Sequence, residues 1–318
     1  MISLTPPHNL TLNHIHKFIE DSSKYFSYEN SQTPNFILDL RHIEKISLIG
    51  QLILYKFISF TVEKRCFFNP KINGLEDNEY LYTELEKNGF LDIINAYIRN
   101  AKEKELIRQY RKLKIINENN LILAPQKLLR YEMSDRKTLE EEYFSKLLGF
   151  YGNNVKSRTI CLCIGELINN FYSHATNDTG TIMVAKGNHS FIDICFADTG
   201  NGIINTLRDS NKKYLKYSKT KIMKLAVSKN VTSKPGTAHL GMGLFLIAKV
   251  AEFDSEGTFR IISDEVEFRQ ENKKTARIIE SSFWKGTITY LHLSIDKMIS
   301  IDKIKELHTP AANKLKFI

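Results

Sequence analysis

The stretch Glu166-Leu-Ile-Asn-Asn170-Phe-Tyr-Ser-His174-Ala175 decides how this chain is read, because a carboxylate, an amide and an imidazole recur in it at one-turn intervals. Wound as a helix, it sets Glu166, Asn170 and His174 in a polar stripe beside an apolar face of Ile164, Leu167, Ile168, Phe171 and Ala175. Such a stripe suits chemistry on a metal-bound phosphate. Asn170 offers the hard, neutral oxygen that magnesium prefers, and Glu166, one turn earlier, is placed to accept a proton from an attacking nucleophile. Taken singly the stripe says little. A lone glutamate on an amphipathic helix is usually a solvated acid, and a lone histidine is usually packed.

The downstream sequence supplies the context. Strands are expected over 181–186 and 191–197, where branched and aromatic residues concentrate. They lead into Asp198-Thr-Gly200-Asn-Gly202-Ile203. A carboxylate at a strand end can accept from the exocyclic amine of adenine, a donor that guanine does not place there, so ATP is favoured over GTP. Gly200 and Gly202 would let the backbone pass close to the base. Two helical stretches later, Gly241-Met242-Gly243-Leu244 opens an apolar helix whose first N–H groups and dipole suit phosphate. Further strands are expected over 257–262, 266–269 and 286–293. A helix over 138–148 precedes the Glu166 helix.

Upstream, the residues from 35 to 95 read strand, helix, strand, helix: an apolar strand at 35–40, a helix over 47–64, a strand at Cys66-Phe-Phe and a helix ended by Gly89. That order implies a small α/β domain. Residues 12–20 read as a further helix. The segment 96–127 is charged, reads as helical with a break at Pro125, and is expected to act as a connector.

Composition narrows the class. The chain has 318 residues, 42% hydrophobic and 25% charged, with a formal net charge of +9. That describes a globular protein of more than one domain rather than a disordered one. The most apolar run, residues 46–60, is interrupted by Gln51 and Lys56 and is too short to span a bilayer. With no secretion-type leader pattern at the N-terminus, a cytoplasmic location is expected and no membrane partner. The four cysteines, Cys66, Cys161, Cys163 and Cys195, are expected as buried thiols rather than a disulfide or zinc site. Basic residues are dense over 102–114, where both signs mix, and over 212–234, where acids are almost absent. The second stretch could seat a polyanion, yet charge runs are commonly solvated, so nucleic acid is not the expected partner.

Taken in order, residues 128–295 resemble the ATP-binding domain shared by gyrase, heat-shock chaperones, histidine kinases and mismatch-repair ATPases, the GHKL or Bergerat-fold superfamily. Residues 166–175 are similar to its N-box, 198–202 to its first glycine box, and 241–244 to its second, with 236–240 part of the lid. Gly286-Thr287 is similar to its last element, whose threonine lies near the adenine pocket. The resemblance implies a two-layer α/β sandwich with a mixed sheet, and ATP and Mg2+ as ligands. It implies Asn170 on the metal, Glu166 as the base and Asp198 on adenine. Gly236, Thr237, Gly241, Met242, Gly243 and Leu244 would surround the triphosphate, and His174 would approach it.

The N-terminal 1–95 resembles, through Phe36-Ile-Leu-Asp39-Leu40 and Ile46-Ser-Leu-Ile-Gly50, the STAS domains of anti-sigma-factor antagonists. It departs from them in carrying Leu48 where the family has its phosphoserine and Ser47 where aspartate is usual. The expected organisation of the chain is therefore α/β (α+β): a STAS-like interaction domain (1–95), a helical connector (96–127), a GHKL domain (128–295) and a tail (296–318). The pairing implies an ATP-binding regulatory protein that switches its hold on a protein partner, with a homodimer left open. The alternative is a protein kinase, serine-directed of the anti-sigma type or histidine-directed. A nucleic-acid-directed ATPase ranks last, with only a short stretch after Leu293 for the transducer domain such members carry.

Overall fold

The computed structural model describes residues 2–94 and 114–304, apart from 34, 68–69, 76, 92, 118–119, 130–132, 176–177, 179, 234–240 and 300–302. Its centre is a six-stranded sheet. In chain order its strands are β6 (Lys114–Asn117), β7 (Asn120–Leu129), β8 (Gly180–Asn188), β9 (Phe191–Asp198), β10 (Thr258–Glu271) and β11 (Arg277–Ser294), and they lie in the order β10-β11-β9-β8-β7-β6. Every pairing in it is antiparallel. Only a few residues separate β6 from β7, β8 from β9 and β10 from β11, and so short a connection permits only antiparallel neighbours.

Both faces of this sheet are apolar. Along β8, Ile182 and Val184 turn to one face while Met183 and Ala185 turn to the other; along β9, Cys195 and Ala197 oppose Ile192, Ile194 and Phe196. A sheet of this kind must be covered on both sides. One face carries α4 (Met133–Tyr151), α5 (Val155–His174), α6 (Gly202–Ser210), α7 (Lys219–Ala226) and α8 (Gly243–Phe253). The other carries the N-terminal residues: α1 (Ile15–Ser23) on β11, a 3-10 turn (Lys24–Tyr28), and α2 (Leu48–Glu63) on β8 and β9.

On the far side of α2 lies a small sheet of parallel strands, β1 (Ile2–Leu4), β3 (Phe36–Asp39) and β5 (Pro70–Asn73). Two shorter strands, β2 (Asn9–Leu10) and β4 (Lys45–Ile46), pair in parallel, and α3 (Glu79–Lys87) closes the region. Lying between two sheets, α2 is buried from Leu48 through Thr61. N-terminal side chains and the sheet residues Ile182, Val184, Cys195, Ile262, Trp284 and Ile288 form one continuous core. Ion pairs and polar contacts rim this seam: Arg260 donates to Leu12 O and Asn13 Oδ1, His16 meets Glu267, and Lys285 meets Glu29.

Several expectations are corrected. The expected mixed sheet is antiparallel throughout, and the expected two-layer sandwich is covered on its second face as well. Residues 114–129 are not a helical connector but the hairpin β6–β7, so a boundary at 128 falls inside a strand. Pro125 sits where the β7–β8 register slips between Leu123 and Gln126, a bulge that accommodates a residue without an N–H. Residues 96–113 lie outside the described residues. The strand expected at Cys66-Phe-Phe lies instead at Pro70–Asn73 (β5), while Phe67 makes an isolated bridge to Thr33. The strands expected at 257–262 and 266–269 are one strand, bulged at Asp264.

Other expectations hold. Gly89 follows α3 with φ 78°, as a glycine stop requires. The four cysteines are free and buried, and burial pushes the Cys66 and Cys163 thiols up to about 12. Among the described residues no helix is long and apolar enough to cross a membrane.

Candidate functional site

The helix that carries Glu166, Asn170 and His174 is α5. It begins at a capping box: Asn154 accepts from the backbone N–H groups of Lys156 and Ser157 at 2.9 and 3.0 Å, and Ser157 Oγ accepts from Asn154 N–H at 3.1 Å. Ile164, Leu167, Ile168, Phe171 and Ala175 are buried against the sheet, as their spacing predicts. Glu166 and Asn170 are half-buried and look into a cavity of about 360 Å³, within the range of small-molecule sites.

Stretches far apart in sequence wall this cavity. Glu166, Asn169 and Asn170 come from α5, Asp198 from the end of β9, and Gly202 from the start of α6. Gly241, Met242, Gly243 and Leu244 come from the start of α8, and Thr287 and Thr289 from β11. Apolar cover comes from Phe171, Phe196, Ile203, Leu207 and Leu246.

Two glycines sit at close approaches to residues of the cavity wall. A Cβ on Gly243 would run into the Glu166 carboxylate, so the start of α8 lies directly on that acid. Gly286 has φ 96°, and a Cβ there would strike Asp198 O and Oδ1. It belongs to a bulge, since Asp264 pairs with Trp284 and Ser263 with Thr287, leaving Lys285 and Gly286 unmatched. The bulge turns Thr287 toward Asp198, its register partner on β9.

Asp198 is only 7% exposed. Its Oδ1 accepts from Gly200 N–H at 2.9 Å, and its backbone oxygen accepts from Trp284 Nε1 at 3.0 Å. Burial first, and then the neighbouring Asp178, push its carboxyl up to about 7; hydrogen bonds from the Gly200 and Thr287 backbones and the charge of Lys56 oppose the rise. Ser263 Oγ accepts from Ile203 N–H and donates to Gly286 O, both at 2.9 Å, which ties the start of α6 to the bulge.

The structure therefore brings together Glu166, Asn170, Asp198, Gly202, Gly241, Met242, Gly243, Leu244 and Thr287. It does not bring Gly200 to this cavity. Gly200 lines a second cleft of about 490 Å³ on the other side of the turn, facing the Lys24–Tyr28 segment, and its contribution is the N–H to Asp198. Gly236, Thr237 and the side chain of His174 lie outside the described residues. Sequence reasoning missed Asn169, Thr206 and Thr289, each one helical turn or one strand repeat from a chosen residue, so periodicity alone would have found them. It also missed Asp178 and Lys56, which no local pattern joins to Asp198.

Asn170 Nδ2 and Asn169 Oδ1 are buried atoms without a hydrogen-bond partner among the described residues. An amide can turn over without changing its shape, so this wall can offer a guest either an oxygen or an N–H. No cluster of three His, Cys, Asp or Glu side chains fit to hold a metal occurs among the described residues. A cation here would rest on the Asn170 amide and on oxygens brought by its ligand. No protein-family model matches the chain, and no curated protein matches it.

Proposed function

We propose that the chain is an ATP-binding regulatory protein of the histidine kinase-like (GHKL) type, its N-terminal layer STAS-like, in which bound ATP changes the hold on a protein partner. The observation that carries this reading is the convergence on one cavity of an acid and an amide from α5, a strand-end aspartate and a glycine-bracketed helix start. Each has a role that its chemistry suits. Asp198 accepts from the adenine amine, the first N–H groups of α8 meet phosphate, and Thr287 closes the base end. Asn170 would hold magnesium, which would offset the charge of the phosphates. Glu166, against Gly243, is positioned to take the proton of an attacking hydroxyl or water.

The switch reading is preferred to the kinase reading because of the N-terminal layer. His16, in α1, lies against β10 and β11, where Nε2 meets Glu267 at 3.1 Å, on the face opposite the cavity. Ser47 precedes α2 and lies beside Leu10 O. Neither adjoins the cavity, whereas the shared core lets a change at the cavity reach the surface of the N-terminal layer. Titration calorimetry of the whole chain with ATP, with and without magnesium, tests the reading. Magnesium-dependent binding that GTP does not reproduce is expected, and the absence of heat with every nucleotide would overturn it.

A further inference from the structure

Lys56 stands in the middle of α2, its side chain 0% exposed, and forms an ion pair with the side chain of Asp178, 2% exposed. The Nζ lies 3.0 and 2.9 Å from the two carboxylate oxygens and also donates to Gly180 O. Asp178 is otherwise fully occupied. Its Oδ2 accepts from Thr199 N–H at 2.7 Å and from Thr199 Oγ1 at 3.3 Å, and its Oδ1 accepts from Gly180 N–H at 3.1 Å. One carboxylate thus binds the start of β8 to the residue that follows Asp198.

A second anchor reaches the same turn from β11. Trp284 Nε1 donates to Asp198 O, and the indole packs edge-on against Phe26 of the 3-10 turn at 5.1 Å. A buried ion pair is a costly way to fill space, because two charges lose their water and apolar side chains would pack as well. Its geometric effect here is to fix residues 198–200 from beneath.

We propose that Lys56 and Asp178 are positioning residues for Asp198, through which the N-terminal layer sets how well the cavity binds and discriminates its purine base. This rests on the nucleotide reading above. The two charges act on Asp198 in opposite senses, Asp178 disfavouring its ionised form and Lys56 favouring it. Across the cavity, Glu166 is the acid on α5 that shares the lining. Ionised Asp198 accepts from the adenine amine; protonated, it would instead donate to a 6-oxo group. Base discrimination therefore falls as pH drops through about 7, where Asp198 takes up its proton.

The test compares calorimetric affinities for ATP and inosine triphosphate, which lacks the 6-amino group, from pH 6 to 8.5. Their ratio cancels the protonation of the phosphates. Wild type is set beside the double variant Lys56→Met/Asp178→Asn, which leaves no stranded charge, and Thr199→Val, which removes one tie to Asp178 without touching either charge. The double variant is expected to bind ATP about tenfold more weakly, with the midpoint of its discrimination ratio moved to lower pH. Thr199→Val is expected to lose a few-fold in affinity with its midpoint in place. If the double variant does not fold, Thr199→Val carries the test, and unchanged affinity there overturns the proposal. Wild-type binding matched by both variants in affinity and midpoint overturns the positioning role while the nucleotide reading stands. No binding by wild type overturns the nucleotide reading itself.

Discussion

The two faces of the six-stranded sheet are built from the same strands, alternating residue by residue, yet they end in opposite states. On the N-terminal face, Ile182, Val184, Cys195 and Trp284 are sealed under α2 and the 3-10 turn. The buried charges of that region, Lys56, Asp178, Arg260 and Glu267, are all held in ion pairs. On the helical face, α5, α8 and the ends of β9 and β11 wall a cavity. One face is framework and the other is site, and the strand-end turn at Asp198 belongs to both.

The sharpest way to break that contrast is to damage the framework. Trp284 is fully buried, and Trp284→Ala removes a large core side chain together with the bond to Asp198 O. A loss of about 3–5 kcal/mol is expected. Because the core is shared, urea unfolding followed by circular dichroism should still give one transition for the whole chain. Two separated transitions would mean that the N-terminal layer folds as an independent unit.

The cavity face should respond differently, losing function before stability. Glu166→Ala is expected to retain ATP while slowing turnover by about 10²–10⁴-fold, since a general base acts mainly in the transition state. Phosphate release measured at saturating ATP checks it; weaker binding with undiminished turnover would contradict the role. Asn170→Ala should remove the dependence of ATP affinity on magnesium, a loss of no less than the roughly 10–100-fold that deleting a group behind a metal ligand costs. Calorimetry with and without the metal reads this directly, and an affinity that still responds to magnesium would refute the assignment.

How far this arrangement was legible depends on the range of the signal. The α5 stripe was readable because its apolar residues recur at helical spacing and all five bury as that spacing demands. Gly241 and Gly243 were readable because paired glycines before an apolar run mark a helix start with free N–H groups; Gly241 proves to lie on the Val231 backbone with φ 65°. The hairpin at 114–129 was hidden by Lys114, Asn117, Lys127 and a bulged Pro125, which blur strand alternation near a sheet edge. The third layer could have been inferred: the near-continuous apolar run Ile182-Met-Val-Ala185 requires cover on both faces. Lys56, inside an otherwise apolar run, was itself a signal of a buried partner. That partner lies 122 residues away, beyond any local pattern.

The smallest expected effect lies at the margin of the framework face, where Asp193 Oδ1 accepts from Tyr290 OH at 2.7 Å and meets His292 Nδ1 at 2.8 Å. The hydrogen bond to Asp193 raises the imidazole above its usual value, against the opposing pull of burial. A raised folded-state pKa adds stability that is fully present below the unfolded value of about 6.5 and is lost as pH rises through the folded value. The pair is partly exposed, 26% and 23%, so its share is expected to stay below about 1 kcal/mol. His292→Gln keeps a polar group of similar reach and removes the charge. Melting temperatures of wild type and variant should therefore differ most near pH 5.5 and converge toward pH 8.5. A gap that is constant across this range would mean that the pair acts through packing alone.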